Sequence, residues 1–508
     1  MKSTTLCLAL LLAALVLAPL AAQDSTAASA DDIFNEEESV TQTTEQTQNA
    51  APRDEILTSA VPWITGSFTG RVGFDWTWND VWTPDFGAFD PSSYGLSQSA
   101  TSVKLGFVAR PQADISVAGQ VRTSYPFVQQ IEAVTGVTLP AGLVTTATYT
   151  VADFTIWSLY SKFSWKDALF FTFGKQPIKW GTGYFFSPAD DIFAQSEVDI
   201  TDPTAEREGP LALRVQFPIP MTMHNLYLFA VLPRSNDLTV LASMKPEDIA
   251  VAAKAEVLLG NTELALSGYY QRDQRPQAIL MATTGTGSFN FFAEGLAAFP
   301  SVQSEAYVEN ASTPVALPKI PFTSDYAVVD RSGQALFSAT GGAMYTNQDW
   351  NFTAVGQYLY NGRGYSSISL GDILQAAYDR TVGGQPTGEP KLDISSIATT
   401  IAGMGKIGQH YGVISLGWTS LWDSKWDFSV LAIANFSDGS GFVKPTLSLR
   451  CLNYVTLSGG ASFSWGGDGT EFADPAGLLT AFRAGNLSFV SKPTMSLSLN
   501  ASIGTASF

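Results

Sequence analysis

The sequence predicts an all-β protein, a transmembrane antiparallel β-barrel of about 18 strands with short periplasmic turns and long outer loops. Three observations carry this expectation. Segments of about ten residues alternate apolar and polar side chains repeatedly along the chain, the length a tilted strand needs to cross a bilayer. The connections between them alternate between long and short. Charged residues make up only 15% of the chain while aromatics reach 12%, which suits a sheet that covers an apolar exterior. Past the N-terminal run, no stretch is long and apolar enough for a transmembrane helix. In hydrocarbon every backbone N–H and C=O needs a partner within the protein, so a closed sheet is what remains.

The start reads as a signal peptide over residues 1–22: Met1-Lys2, the apolar run Leu6 to Leu20, then Ala21-Ala22. The fit is imperfect, because Leu20 stands where a small residue is usual, three positions before the cut. Residues 23–63 form an acidic segment, expected to be disordered in the periplasm. Between Gln23 and Glu55 there are nine acids and one base, and a stretch such as Glu36 to Gln48 has too little apolar surface to order itself. Net charge is −18 for the whole chain and −11 without these two segments, an acidic balance that argues against nucleic acid as a partner. The barrel is expected over 64–508.

Cysteine and histidine remove other classes. Cys7 leaves with the signal, and Cys451 alone makes no intramolecular disulfide. His224 and His410 have no Cys or His at metal-ligand spacing. Neither has an evident Ser or Asp partner of the kind a nucleophile and its general base require, so no catalytic residue, metal, cofactor or enzymatic activity is expected.

From Phe68 the order Phe68, Gly70, Val72, Phe74, Trp76, Trp78 alternates with Thr69, Arg71, Gly73, Asp75, Thr77. The pattern returns at Ile115 to Arg122, at Ile249 to Leu259, at Val455 to Trp465 and at Met495 to Ile503. Long outer connections fall at 79–100, 126–149, 177–209, 233–246, 299–334, 362–404 and 466–492, with two short ones near Arg275-Pro276 and Ser437-Asp438-Gly439. Short turns lie between them, near Pro111, Lys166, Ile219, Gly260, Thr286, Asn347, Asp423 and Leu452. Aromatics such as Trp76, Trp78, Trp157, Phe163, Trp165, Trp418, Trp422, Trp426 and Trp465 stand at strand ends and read as interfacial girdles facing outer-membrane lipid. The chain stops at Phe508 after a last alternating strand, which resembles the C-terminal signal by which insertion machinery recognises bacterial barrels. Phe508 is out of step with Ile503, so a bulge near Gly504 is implied.

The densest polar segment follows Gly174. A long connection at 177–209 carrying both signs of charge can fold into the lumen, narrow it and sort solutes by charge. Its candidate residues are Lys175, Lys179, Asp190, Asp191, Asp202, Glu206, Arg207, Glu208 and Arg214. Parity adds Arg71, Asp75, Lys104, Arg110, Arg122, Lys254, Glu256, Glu294, Lys444 and Arg450 on the lumen wall. In the competing reading, Trp, Gly and Pro merely shape a compact loop whose charges pair on the outside.

The run WGTGYFFSPADD (Trp180 to Asp191), with DPTAEREG and ALRVQ after it, resembles a recurring signature of porin-like outer-membrane proteins of spirochaetes and related bacteria. YLYNGRGY (Tyr358 to Tyr365), ANFSDGSGFVKPTLS (Ala434 to Ser448) and the closing SLNASIGTASF extend the resemblance over roughly 174–508. It is also similar, more loosely, to alginate-export-type barrels. The resemblance implies a channel and leaves the solute open. The expectation is passive passage of small hydrophilic solutes through an anion-tolerant or mixed pore. A barrel whose loops at 299–334 and 362–404 plug the lumen or bind partners, and a conduit for acidic polysaccharide, stay as alternatives. The Tyr-Asn-Gly and Ser-Asp-Gly motifs read first as turn formers.

Overall fold

The computed structural model describes residues 67–82, 98–112, 114–138, 142–166, 168–193, 200–201, 203, 207–232, 245–319, 323–392, 407–452, 454–473 and 495–507. The expected signal peptide and acidic segment, Asp202, Glu206 and Phe508 lie outside them. The strands are β1 (Ser67–Trp82), β2 (Gln98–Gln112), β3 (Ile115–Ser124), β4 (Val128–Thr138), β5 (Gly142–Ala152), β6 (Thr155–Trp165), β7 (Leu169–Lys175), β8 (Leu211–Pro218), β9 (Asn225–Val231), β10 (Ala250–Leu259) and β11 (Thr262–Tyr270). They continue as β12 (Gln277–Thr286), β13 (Phe289–Ala298), β14 (Ala306–Ala316), β15 (Thr323–Asp330), β16 (Leu336–Asn347), β17 (Phe352–Tyr360), β18 (His410–Trp418), β19 (Trp426–Asn435), β20 (Ser440–Leu452), β21 (Val455–Trp465) and β22 (Met495–Ser507). Among the described residues one α-helix, α1 (Leu370–Gly383), lies between β17 and β18.

An 18-stranded antiparallel sheet forms the wall, and β1 closes it by pairing with both β2 and β22. The side-chain period of two sorts the wall's faces. Phe74, Leu105, Leu228, Leu266, Leu280, Ile414 and Ile503 are exposed on the outer face, while their neighbours Asp75, Thr77, Ala265, Ser267, Ile279, Met281 and Val413 are buried inside. So many bare aliphatic and aromatic side chains around a closed wall would be unfavourable against water, which makes lipid their solvent.

At the rim with the short turns the aromatic girdle is continuous. Phe289, Tyr345, Phe352, Trp418 and Phe428 follow one another over β13, β16, β17, β18 and β19, with neighbouring ring centroids 4.9, 6.3, 4.7 and 5.9 Å apart. Trp157 is not part of any girdle, because its ring lies beneath the Arg122 guanidinium. The implied bulge is present: β1 and β22 change register between Val72, opposite Ala506, and Phe74, opposite Ile503.

The long connections hold structure that alternation alone did not foretell. The connection between β3 and β6 contains the hairpin β4–β5, and the one between β13 and β16 contains β14–β15. Helix α1 starts at Ser369, whose Oγ accepts the Asp372 N–H (3.2 Å) while the Asp372 carboxylate accepts the Ser369 N–H (2.8 Å). Its buried Leu370, Ile373, Leu374 and Ala377 cluster with Val308 of β14. Arg380 of α1 then donates to the Tyr326 carbonyl of β15 (2.7 Å) and pairs with Glu389 at 3.0 Å.

Candidate functional site: the lumen and its inward segment

At the end of β7 the chain leaves the wall and turns inward. Gly174 has a φ of 131°, and a Cβ there would lie 2.3 Å from the Leu159 carbonyl oxygen. Gln176, buried, then donates its Nε2 to the Ala212 carbonyl at 2.9 Å. From here residues 178–193 run across the inner faces of distant strands.

Besides Lys254, whose Nζ donates to the Trp180 carbonyl, three wall side chains fasten this segment. Ser267 of β11 accepts the indole N–H of Trp180 (2.8 Å), a ring only 1% exposed. Glu294 of β13 accepts the backbone N–H groups of Ala189 (2.7 Å), Thr182 (3.1 Å) and Gly183 (3.4 Å) and the Ser187 hydroxyl (3.1 Å). Gln357 of β17 accepts the Phe185 N–H (2.8 Å) and donates to the Phe186 carbonyl (2.6 Å). A buried carboxylate is costly unless donors surround it, and here the backbone of the inward segment supplies them. The glycines of the WGTG run permit this approach: a Cβ on Gly181 would come within 2.3 Å of Glu294 Oε2, and one on Gly183 within 2.0 Å of the Phe186 carbonyl oxygen.

The segment is also held from within. Asp190, buried, accepts the N–H groups of Trp180 (2.5 Å) and Gly181 (2.7 Å) through Oδ1 and pairs with Arg207 through Oδ2 (2.7 Å). Its apolar side rests on the wall. Ile178, Trp180, Ala189 and Phe193 pack on inward residues from β8 to β13, and Phe185 and Phe186 pack on Val355, Tyr411, Ile433 and Phe442 of β17 to β20. The inner wall from β8 round to β20 is therefore lined by the inward segment and its neighbours. The arc from β21 through β1 to β7 is left without it.

That open arc has a marked charge. Among the described residues its inward positions carry Arg71, Lys104, Arg110, Arg122 and Lys162, against one acid, Asp75, which pairs with Lys104 at 3.3 Å. Strand register sets them at different heights: Arg110 lies opposite Ser67, Arg71 opposite Gly106, and Lys104 opposite both Gly73 and Arg122. Arg110 and Lys104 are six residues apart, so the row climbs roughly 20 Å of wall. Arg71, Arg110 and Lys162 are exposed even though they face inward.

No protein-family model matches the sequence, and no curated protein matches it. The barrel is similar in fold to solved outer-membrane proteins. OccK11 (OpdR) of Pseudomonas aeruginosa aligns with a TM-score of 0.45 and 7% identity over 87% of this chain and 96% of that one. The outer membrane protein OpdK of the same organism aligns at 0.41 and 10%, over 87% and 99%. A BenF-like porin from Pseudomonas fluorescens Pf-5 aligns at 0.42 and 10%, over 88% and 100%. Identities this low transfer no residue roles.

The remaining charged residues read from the sequence fall into distinct places. Lys254 and Glu256 of β10 pair at 2.6 Å, and Lys254 also donates to the Trp180 carbonyl (3.1 Å), so both serve the inward segment. Arg214 of β8 lies 5.0 Å over the Tyr227 ring and donates to Gln216 (3.1 Å). Arg122 stacks 3.7 Å over Trp157. Lys175 lies on the outward parity of β7, where it pairs with Glu208 and donates to the Ile156 carbonyl (2.6 Å). Lys179 and Asp191 are exposed on the inward segment. Lys444 stands on the inner parity of β20, opposite the buried Leu431. Arg450 belongs to the short-turn rim, paired with Asp427 at 3.0 Å.

Ser267 and Gln357, which hold the inward segment, were not singled out in the sequence, and neither were Lys162 and Arg363. Lys162 could have been found, since Phe163 and Trp165 on the same strand face lipid and parity turns Lys162 inward. Arg363 could not, because nothing local tells which way a turn residue points. His224 accepts the Leu258 N–H (3.1 Å) near the short-turn rim, and His410 meets the Tyr358 hydroxyl (2.5 Å) on the outer face. Among the described residues, no three His, Cys, Asp or Glu side chains converge as a metal site.

Proposed function

We propose that the chain is an outer-membrane channel of a diderm bacterium for passive passage of small hydrophilic solutes, with the connection at 177–209 as its constriction and a preference for anions. The observation that carries this is the set of exposed bases, Arg71, Arg110 and Lys162, at inward positions of the arc that residues 178–193 do not cover. Exposed charge inside a closed barrel means water inside, and a wall of one sign raises the local concentration of counter-ions.

The rest of the topology belongs to the same proposal. The rim with short turns is periplasmic, the rim with long connections faces outward, and residues 1–22 are a signal peptide followed by the acidic periplasmic segment 23–63. The Trp180 to Asp191 run and its companions support kinship with porin-like barrels of spirochaetes and related bacteria.

Full-length mature protein in planar bilayers under a potassium chloride gradient is expected to conduct, with a reversal potential on the chloride side. Strong cation preference would overturn the selectivity. A second reading has one specific support: the Gly371 N–H of α1 donates to the Gly469 carbonyl (2.8 Å), tying two long connections together over the rim. In that reading the loops form a plug, and wild type does not conduct until 299–334 and 362–404 are shortened.

A further inference from the structure

A second stretch of chain turns inward. Beyond Trp465, where β21 ends, residues 469–473 are buried, and Phe472 joins the inner-wall cluster that holds Phe185 and Phe186. Gly466 permits the close approach, since a Cβ there would lie 2.3 Å from Thr470 Oγ1 and 2.8 Å from the Ser440 Cβ.

The grip on this stretch comes from the Asn435 to Ser440 motif between β19 and β20, which in the sequence reads only as a turn. Asp438 Oδ2 accepts the Glu471 N–H (2.8 Å), and Ser440 Oγ accepts the Phe472 N–H (3.2 Å) while donating to Asp438 Oδ1 (2.6 Å). Asn435, buried, donates its Nδ2 to Glu471 Oε2 (2.8 Å), and the Tyr411 hydroxyl of β18 donates to the same oxygen (2.6 Å). Glu471 is 1% exposed. A carboxylate sits so deep only where donors are aimed at it, so the inward faces of β18 and β19 are shaped to receive this residue.

Tyr411 meets both inward stretches. Its ring centroid lies 5.7 Å from that of Phe186 and 6.4 Å from that of Phe472, which is 5.5 Å from Phe442. At its other end the stretch reaches the outer helix, where the Gly469 carbonyl accepts the Gly371 N–H of α1 (2.8 Å). Packed rings and hydrogen bonds thus run without a break from α1 to residues 185–186.

We propose that residues 469–473 are a second element of the constriction, tying residues 185–186 to the outer helix α1, and that Glu471 is the residue that positions it. The proposal rests on the channel reading and deepens it: two connections set the width of the pore, and a change at α1 reaches the narrow part.

Amide hydrogen exchange of the full-length mature protein in detergent tests the tie without requiring conduction. In Glu471→Ala, exchange at Phe185, whose own acceptor is Gln357, is expected to quicken roughly tenfold or more, together with that at Gly371. Amides of β11 and β12 are expected to keep their wild-type rates. Glu471→Gln retains an oxygen for Tyr411 and Asn435 and is expected to restore most of the protection. Phe472→Ala, which keeps the carboxylate and removes the ring, is expected to free Phe185 as well, so the test survives if Glu471→Ala does not fold. Wild-type exchange at Phe185 in the folded variants, or a uniform rise that includes β11 and β12, overturns the proposal. The channel reading stands or falls separately, on whether wild type conducts in bilayers.

Discussion

Glu294 shows how much one residue can govern here. Its carboxylate gathers three backbone N–H groups and a hydroxyl from a segment more than a hundred positions earlier in the chain. Glu294→Ala leaves those donors buried without an acceptor, at about 1–3 kcal/mol for each one that stays unpaired. The expected result is an inward segment that detaches: larger and noisier single-channel currents, with new protease cuts within 177–209. Gly183→Ala is expected to do the same, because its Cβ would collide with the Phe186 carbonyl. Unchanged currents and an unchanged protease pattern in both variants would show that Glu294 does not hold the segment. Parity made Glu294 legible as a lumen residue, but its role was not, since its partners are main-chain atoms that no sequence motif marks.

The hairpin β14–β15 illustrates the next scale. The Asp330 carboxylate accepts the N–H groups of Glu305 (3.0 Å) and Ser332 (2.8 Å), and these bonds hold its pKa below the usual carboxylate range. A lowered folded value means that the contribution is fully present above the unfolded pKa and is lost as pH falls through the folded one. Amide exchange at Glu305 and Ser332 is therefore expected to be slow at neutral pH and to quicken, relative to the intrinsic rate, below about pH 4. Asp330→Asn is expected to exchange faster already at neutral pH and to lack the acid step. An acid step of equal size in Asp330→Asn would assign it to another group. This hairpin, the β4–β5 hairpin and α1 all lie where the sequence suggested plain loops. The Ser369 to Asp372 capping pattern and the apolar Leu370, Ile373, Leu374 and Ala377 were present in the sequence. They are short signals, and their stability comes from packing on Val308 and Tyr326, which only tertiary structure supplies.

Among the described residues, 178–193 cover one arc of the inner wall, and the arc they do not cover is basic although the chain is acidic. Replacing Arg71, Lys104 and Arg122 together by Gln is expected to move the reversal potential from the chloride side toward the potassium side. The difference between variant and wild type should shrink with salt, because the screening length falls from about 10 Å at 0.1 M to about 3 Å at 1 M. Equal reversal potentials at 0.1 M would mean that ions do not pass along this arc. Most of the basic row was legible in advance, because a period of two places Arg71, Lys104, Arg110 and Arg122 on one face. The lined side was not, since it depends on where 178–193 settles.

The sequence by itself determined the class of fold, the number of wall strands, the order of long and short connections and the inward face of strands such as β1, β2 and β10. These follow from a local rule: successive residues of a pleated strand face lipid and lumen in turn. Only the tertiary structure decided which arc of the wall residues 178–193 cover and which wall side chains hold them there. Those outcomes rest on bonds such as Ala189 to Glu294 and Phe185 to Gln357, 105 and 172 residues apart, where spatial neighbours are set by closure of the sheet rather than by order along the chain.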